Sequence, residues 1–324
     1  MAGPIQRAAD LLPQVERIGT QPMRPDLSGL GLIALGAFKK AVIADNLAIL
    51  VDATYANPYA TYAPALWIGT YAFAIQIYCD FSGYSDMAVG LARLLGIELV
   101  QNFRAPYAAA GPSEFWRRWH ISLSTWFRDY LYIPLGGDRA GAARTYFNVT
   151  LVMMLMFLWH GATWNFVACA IYASLVMSIC RWTPLVALGE RGNASIRPLA
   201  ALTTAAQRIG TFHLFCVGFS LFRAQSLAEC GVVLTKLLGF GSWDLSGWLA
   251  AVEASGQGPL LVWTGALIAA VLLSHNLLPA GSGRLIQQIW RLPLGVRIAF
   301  TATLLYLAAV LNPPGPAPFV YFAF

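Results

Sequence analysis

Apolar residues dominate this chain in long runs, and the polar residues fall in clusters between them. A bilayer-spanning helix needs about 20 mostly apolar residues, so each run can be read as a candidate span. Residues 28–50 form the first, interrupted by Lys39 and Lys40. Two ammonium groups at that depth must face a protein interior or mark an interface. Residues 64–79 form a second and end at Asp80. The block 145–180 is long for one span and short for two. A broken helix or tight hairpin fits it, with the break at His160-Gly161. Residues 203–222, 258–278 and 298–312 are further candidates, and 227–240 reads as a shorter interfacial helix.

The stretch 102–134 breaks this pattern. Pro112-Ser113-Glu114-Phe115-Trp116-Arg117-Arg118-Trp119-His120 mixes charge with large aromatics. Ser113 is placed to cap a helix, and Trp116, Trp119, His120, Leu123 and Phe127 then share one helical face. The run is too polar for a lipid-exposed span, but wrapped in protein it can dip into the membrane.

Composition agrees with a membrane setting. The 324 residues are 58% hydrophobic and 11% charged, against about 25% charged in an ordinary soluble domain. The net charge of +6 resembles a nucleic-acid signal only until the basic residues are placed. They cluster at Arg104–Arg144, at Arg181–Arg208 and at Arg284–Arg297, whereas 51–63 and 240–257 hold no Lys or Arg. Basic loops stay cytoplasmic, so the block 145–180 must enter and return, carrying His160. No nucleic-acid partner is expected. The polar opening, with Arg7, Arg17 and Arg24, reads as no cleavable signal peptide. The five cysteines lie mostly in apolar runs without CxxC spacing, so neither a zinc site nor a redox dithiol is expected.

Four histidines are the main candidates for chemistry. His160, in Phe157-Leu158-Trp159-His160-Gly161-Ala162, has two open readings. An ionisable group inside a bilayer is by default a functional hypothesis, and burial lowers the pKa of such an imidazole so that it can accept a proton. The alternative is a structural histidine bonded to a neighbouring helix. His120 beside Arg117 and Arg118 could serve a phosphate or carboxylate, or could sit on a cytoplasmic amphipathic helix with no such role. His213 and His275 read as structural. Tyr78-Cys79-Asp80-Phe81-Ser82-Gly83-Tyr84-Ser85-Asp86 reads as a membrane-exit loop with helix caps at Ser85 and Asp86, although it could line a polar cavity. No GxSxG elbow, P-loop or GxGxxG occurs, and scattered histidines give no metal site.

Several separate stretches nonetheless fit one family. They are Ala2-Gly3-Pro4-Ile5 with Arg7; Lys39-Lys40-Ala41-Val42-Ile43-Ala44-Asp45; Asp80 to Asp86; and Asn102-Phe103-Arg104-Ala105-Pro106-Tyr107. The longest runs from Phe115 through Trp116-Arg117-Arg118-Trp119-His120 to Ser124, and on from Trp126 to Gly137. Trp159-His160-Gly161-Ala162, Phe222-Arg223-Ala224 and Phe319-Val320-Tyr321-Phe322 complete the set. Together they resemble the membrane-bound O-acyltransferases.

The resemblance implies an all-α polytopic protein, a single domain over 1–324, with a ring of tilted helices around a membrane-crossing tunnel. It implies that His160 and His120 are catalytic, and that Arg117, Arg118, Trp116 and Trp159 bind substrate. It implies no bound cofactor, a thioester donor such as acetyl-CoA arriving from the cytoplasm, and O-acetylation of an exopolysaccharide such as alginate. The expected partners are the lipid bilayer of the cell inner membrane, a periplasmic acetyltransferase partner and the polysaccharide acceptor. Family members usually carry several helices ahead of the Ala-Gly-Pro-Ile stretch, so the chain is expected to be N-terminally truncated. Rival readings are D-alanyl or peptidoglycan O-acyl transfer by the same fold, a transporter or flippase with His160 as proton relay, and a noncatalytic fragment.

Overall fold

In the computed structural model, residues 3–18, 20, 25–182, 197–240, 243–278, 280–315 and 319 are described. Ala2, Arg24, Arg191 and Val320 to Phe322 lie outside them, as do the side chains of Arg181 and Arg197. Every regular element among the described residues is helical.

Two long elements form the scaffold. Helix α2 (Ser28–Phe38) passes through a π-helical turn (Lys39–Ala44) into α3 (Asp45–Tyr55), and α4 runs unbroken from Ala63 to Leu94. At 1.5 Å per residue α4 is about 48 Å long, more than the ~30 Å hydrocarbon thickness. Glycines set how α2 meets α4. A Cβ on Gly29 would lie 2.3 Å from the Gly90 carbonyl oxygen, and one on Gly36 would lie 2.4 Å from that of Gly83. Both helices thus carry glycine at seven-residue spacing, and their backbones touch. Small residues at helix crossings are how close packing replaces the hydrophobic effect in lipid.

Lys39 and Lys40 stand where α2 gives way to the π-helical turn and face the protein interior, as expected. One departure from the sequence reading is that Asp80 to Asp86 is no exit loop but helix interior. Lys40 bridges Asp45 and Asp80 at 2.8 and 2.7 Å, while Lys39 reaches Asp86 at 2.7 Å and Ser282 at 2.7 Å. Each charge on one helix meets its opposite on the other, so neither helix has to end. Ser85 and Asp86 therefore cap nothing.

The other candidate spans persist as helices. Residues 145–180 form a hairpin of α7 (Ala142–Leu158) and α8 (Trp164–Trp182). Then come α9 (Arg197–Arg223), α10 (Leu227–Leu237), α11 (Leu245–Ser255), α12 (Gly258–Leu277), α13 (Ser282–Ile289) and α14 (Leu294–Val310). Helix α12 alone among the described residues is both long and apolar enough to cross a membrane, while α7, α14 and the 164–180 stretch of α8 are shorter apolar helices. The short helix α1 (Ala8–Ile18) lies at the start and buries no residue.

Helices α3, α4 and α9 are stitched together inside the core. Tyr55 Oη pairs with Thr70 Oγ1 at 3.1 Å, and Ser220 Oγ donates to the same oxygen at 2.9 Å. At one end Arg223 holds Asp52 at 2.9 Å, and Lys236 donates to the carbonyls of Pro58, Tyr59 and Thr61 at 2.7–2.8 Å. The segment without Lys or Arg thereby acquires its cations from α9 and α10. Cys79, Cys169, Cys216 and Cys230 are buried free thiols.

Candidate active site

The aromatic–basic stretch is not one helix. It forms α5 (Pro112–Arg118) and α6 (Ile121–Phe127), with Gly111 as the residue before the first turn, so Ser113 lies inside α5 and caps nothing. The break falls at Trp119-His120. His120 adopts φ +42°, ψ +54°, a left-handed conformation uncommon for a residue with a Cβ. Such conformations persist only where the surroundings over-determine them.

Here the surroundings do. Asn102 Oδ1 accepts from Ser122 N at 3.2 Å and Ser122 Oγ at 2.9 Å, and His120 Nδ1 lies 3.1 Å from the same oxygen. The backbone N–H of Ile121 donates to the Asn102 carbonyl at 2.9 Å, and that of Arg104 to the Arg118 carbonyl at 2.9 Å. Residues 102–104 thus clamp the kink from both sides.

His160 sits in the turn between α7 and α8, immediately after the helix end, where the break was expected. Its turn is fixed by packing. The His160 ring meets Phe222 edge to face with centroids 5.2 Å apart, and a Cβ on Gly161 would come within 2.7 Å of Phe166 Cε2. Asn165 Nδ2 donates to the Ala224 carbonyl at 2.9 Å. The Trp-His-Gly-Ala stretch is therefore tied to Phe222-Arg223-Ala224.

His120 and His160 line one cavity of about 70 Å³. Its walls are otherwise apolar and come from α4 to α9, with Phe81, Trp119, Met156, Tyr172 and Phe219 among them. Helices α5 and α6, at seven residues each, are far too short to span a bilayer. Burial pushes the His120 imidazole down to about 3, and His160 acts in the same direction. His120 is therefore neutral at ordinary pH and has one ring nitrogen able to accept a proton.

A second, open cavity of about 1120 Å³ lies against the first. Arg93, Arg104, Arg117, Arg118, Arg128 and Arg284 line it, and Trp116 belongs to the walls of both. Arg118 is held by Glu114 at 2.6 Å. Burial works against the Glu114 charge, but the Ala110 N–H and Arg118 outweigh it and hold the carboxyl below its usual range.

Of the six sequence candidates, His120, His160 and Trp116 meet at the small cavity, and Trp116, Arg117 and Arg118 at the large one. Trp159 lines neither and is 43% exposed. His213 bonds its own helix through Ile209 at 2.7 Å. His275 is buried and its Nδ1 accepts from the Tyr107 N–H at 3.3 Å, as structural histidines do. Sequence reasoning did not single out Asn102. The signal available was an uncharged amide inside a motif, 2% exposed once folded.

Fold and site define a helical protein with a histidine-bearing cavity beside an arginine-lined one. The sequence model of the membrane-bound O-acyltransferase family matches residues 1–222, and the chain belongs to that family. It is 40% identical over 246 residues to a probable alginate O-acetylase AlgI of Azotobacter vinelandii, covering 76% of this chain and 47% of the relative. The corresponding protein of Pseudomonas aeruginosa is 41% identical over 246 residues, with 76% and 45% covered. A peptidoglycan O-acetyltransferase of Helicobacter pylori is 33% identical over 247 residues, again with 76% and 45% covered. The chain spans about half the length of these relatives.

Proposed function

We propose that this chain carries the catalytic centre of a multi-pass inner-membrane O-acetyltransferase that modifies an exopolysaccharide such as alginate. The observation that carries the reading is the joint placement of His120 and His160 on one small apolar cavity, with Trp116 on the wall it shares with the arginine-lined one. His160 takes the proton of an acceptor hydroxyl as that oxygen attacks the carbonyl of an acetyl thioester. The C–S bond breaks, the C–O ester bond forms, and the thiolate leaves with the proton that His160 took. General-base catalysis of this kind contributes about 10²–10⁴-fold.

Three features support the details. A volume of about 70 Å³ suits a two-carbon acyl group and lies far below the ~300–1,000 Å³ of sites for drug-sized ligands. Six arginines suit a phosphate-bearing donor such as acetyl-CoA, because guanidinium binds phosphate through paired hydrogen bonds. Five of the six, all but Arg93, lie in the basic segments expected in the cytoplasm, which makes the large cavity the donor's entry and leaves the acceptor to the outer side, where a periplasmic partner completes transfer to the polymer. Peptidoglycan O-acetylation is the second reading, and the H. pylori relative favours it.

The test uses the purified protein in lipid nanodiscs together with its periplasmic partner, acetyl-labelled CoA and an alginate oligosaccharide or a muropeptide. Label transferred to the alginate as an ester supports the reading. Transfer to the muropeptide alone selects the second, and neither ester nor CoA release from a well-folded protein contradicts both.

A further inference from the structure

Four of the stretches that carry the family likeness are far apart in the chain, yet they converge on one side-chain amide. Asn102 Oδ1 receives both donors of Ser122 and faces the His120 Nδ1 at 3.1 Å. Ser122 Oγ in turn accepts the Ile5 N–H at 3.0 Å, and Asn102 Nδ2 donates to Ser85 Oγ at 3.3 Å. Asn102, Ser85, Ser122 and His120 are each no more than 4% exposed. A buried cluster this connected, satisfied by mutual bonds, fixes geometry.

The cluster also fixes a proton. Oxygen and nitrogen of an Asn amide must be assigned from their partners. The Ser122 backbone N–H can only donate, so the atom facing it is the amide oxygen. An amide oxygen can only accept. The Nδ1 of His120, aimed at that same oxygen, therefore carries hydrogen. In a neutral imidazole one nitrogen donates and the other accepts, which leaves the lone pair on Nε2. His120 is on the wall of the small cavity, while Asn102 lines only the large one.

We propose that Asn102 is a positioning residue that locks His120 in the Nδ1–H tautomer and holds its left-handed backbone, so that Nε2 meets the substrate only as a hydrogen-bond acceptor. The functional half of this assignment rests on the acyl-transfer reading above. It restricts what His120 can orient: a group bearing N–H or O–H, such as an amide of the donor's pantetheine arm or the acceptor hydroxyl, and not a carbonyl oxygen.

The test is ¹⁵N NMR of the histidine-labelled chain in detergent, with the His120 signals assigned by their loss in His120→Asn. The expected result is a single tautomer with Nδ1 protonated and Nε2 bare. Asn102→Ala should give a mixture of tautomers, whereas Asn102→Asp, which keeps an acceptor, should retain Nδ1–H. Polymer acetylation in cells should fall about ten- to hundred-fold in Asn102→Ala, the range that losing the orienting partner of a metal-bound histidine costs, and recover in Asn102→Asp. A merely structural asparagine would change protein abundance and leave the tautomer alone. If Asn102→Ala does not accumulate, Asn102→Asp and Ser122→Ala, with the wild type, carry the tautomer measurement. Nε2–H in the wild type, or an unchanged tautomer in Asn102→Ala, overturns the assignment. The NMR result does not depend on turnover, so its failure is distinguishable from failure of the acyl-transfer reading, which is judged on His160.

Discussion

His120 and His160 lie on the wall of the same cavity, one in the kink between two seven-residue helices and the other in the turn of a helical hairpin. Neither imidazole is on a regular helix. Both are placed by local breaks that other segments enforce, Asn102 for the first and Phe222 with Ala224 for the second. Two proton-accepting groups beside a cavity walled by aromatic and aliphatic side chains make a dry setting in which hydrogen bonds are stronger than in water.

The arginine-lined cavity predicts how donor binding responds to charge. Replacing Arg117 and Arg284 together with glutamine should raise KM for acetyl-CoA about tenfold and leave kcat within about twofold, because rim charges act on association and binding. The wild-type KM should rise with salt, since the Debye length falls to ~3 Å at 1 M. Steady-state kinetics at two ionic strengths decide this. A salt-insensitive KM would remove the arginines from donor binding.

The small cavity predicts a short acyl group. Hexanoyl-CoA should be used at least about tenfold less efficiently than acetyl-CoA, as inserting methylenes into a packed site costs about 1–3 kcal/mol. Equal kcat/KM for the two thioesters would contradict the placement of the acyl group there.

Lys40 stands between Asp45 and Asp80. Lys40→Met should destabilise the protein by about 3–5 kcal/mol, the usual result of leaving buried partners uncompensated. Adding Asp80→Asn should recover part of the loss. Thermal unfolding in detergent followed by tryptophan fluorescence measures both, and a Lys40→Met protein with unchanged Tm would show that the bridge does not hold α2 against α4.

Gly36 is a test of that same crossing. A methyl group there meets the Gly83 carbonyl at 2.4 Å, and backbone cannot rotate aside as a flexible side chain can. Gly36→Ala should cost about 1–3 kcal/mol, while Gly265→Ala, with open space around its Cβ, should cost nothing measurable. Similar Tm values for the two variants would refute the close backbone contact.

Much of this was legible in the chain. The hairpin over 145–180 followed from basic residues on both flanks, and the break at His160-Gly161 fell where Gly161 leaves no room for a Cβ. What escaped was set at long range. Asp80 and Asp86 looked like the end of a span because nothing nearby neutralises them, and their partners Lys40 and Lys39 lie forty or more residues away. The kink at Trp119-His120 escaped for the same reason. Apolar periodicity runs through it, and the amide that enforces it stands 18 residues upstream. Asn102 bears no charge and belongs to no motif with its own chemistry, so only its bonds reveal it.

The most direct test of the central claim is polymer acetylation in cells lacking the native gene and complemented with the protein carrying His160 or His160→Ala, at equal abundance in the membrane. The account predicts that the wild-type protein restores ester-linked acetyl and that the variant loses at least about 10²-fold. Equal restoration by both would make His160 a structural residue and contradict the account.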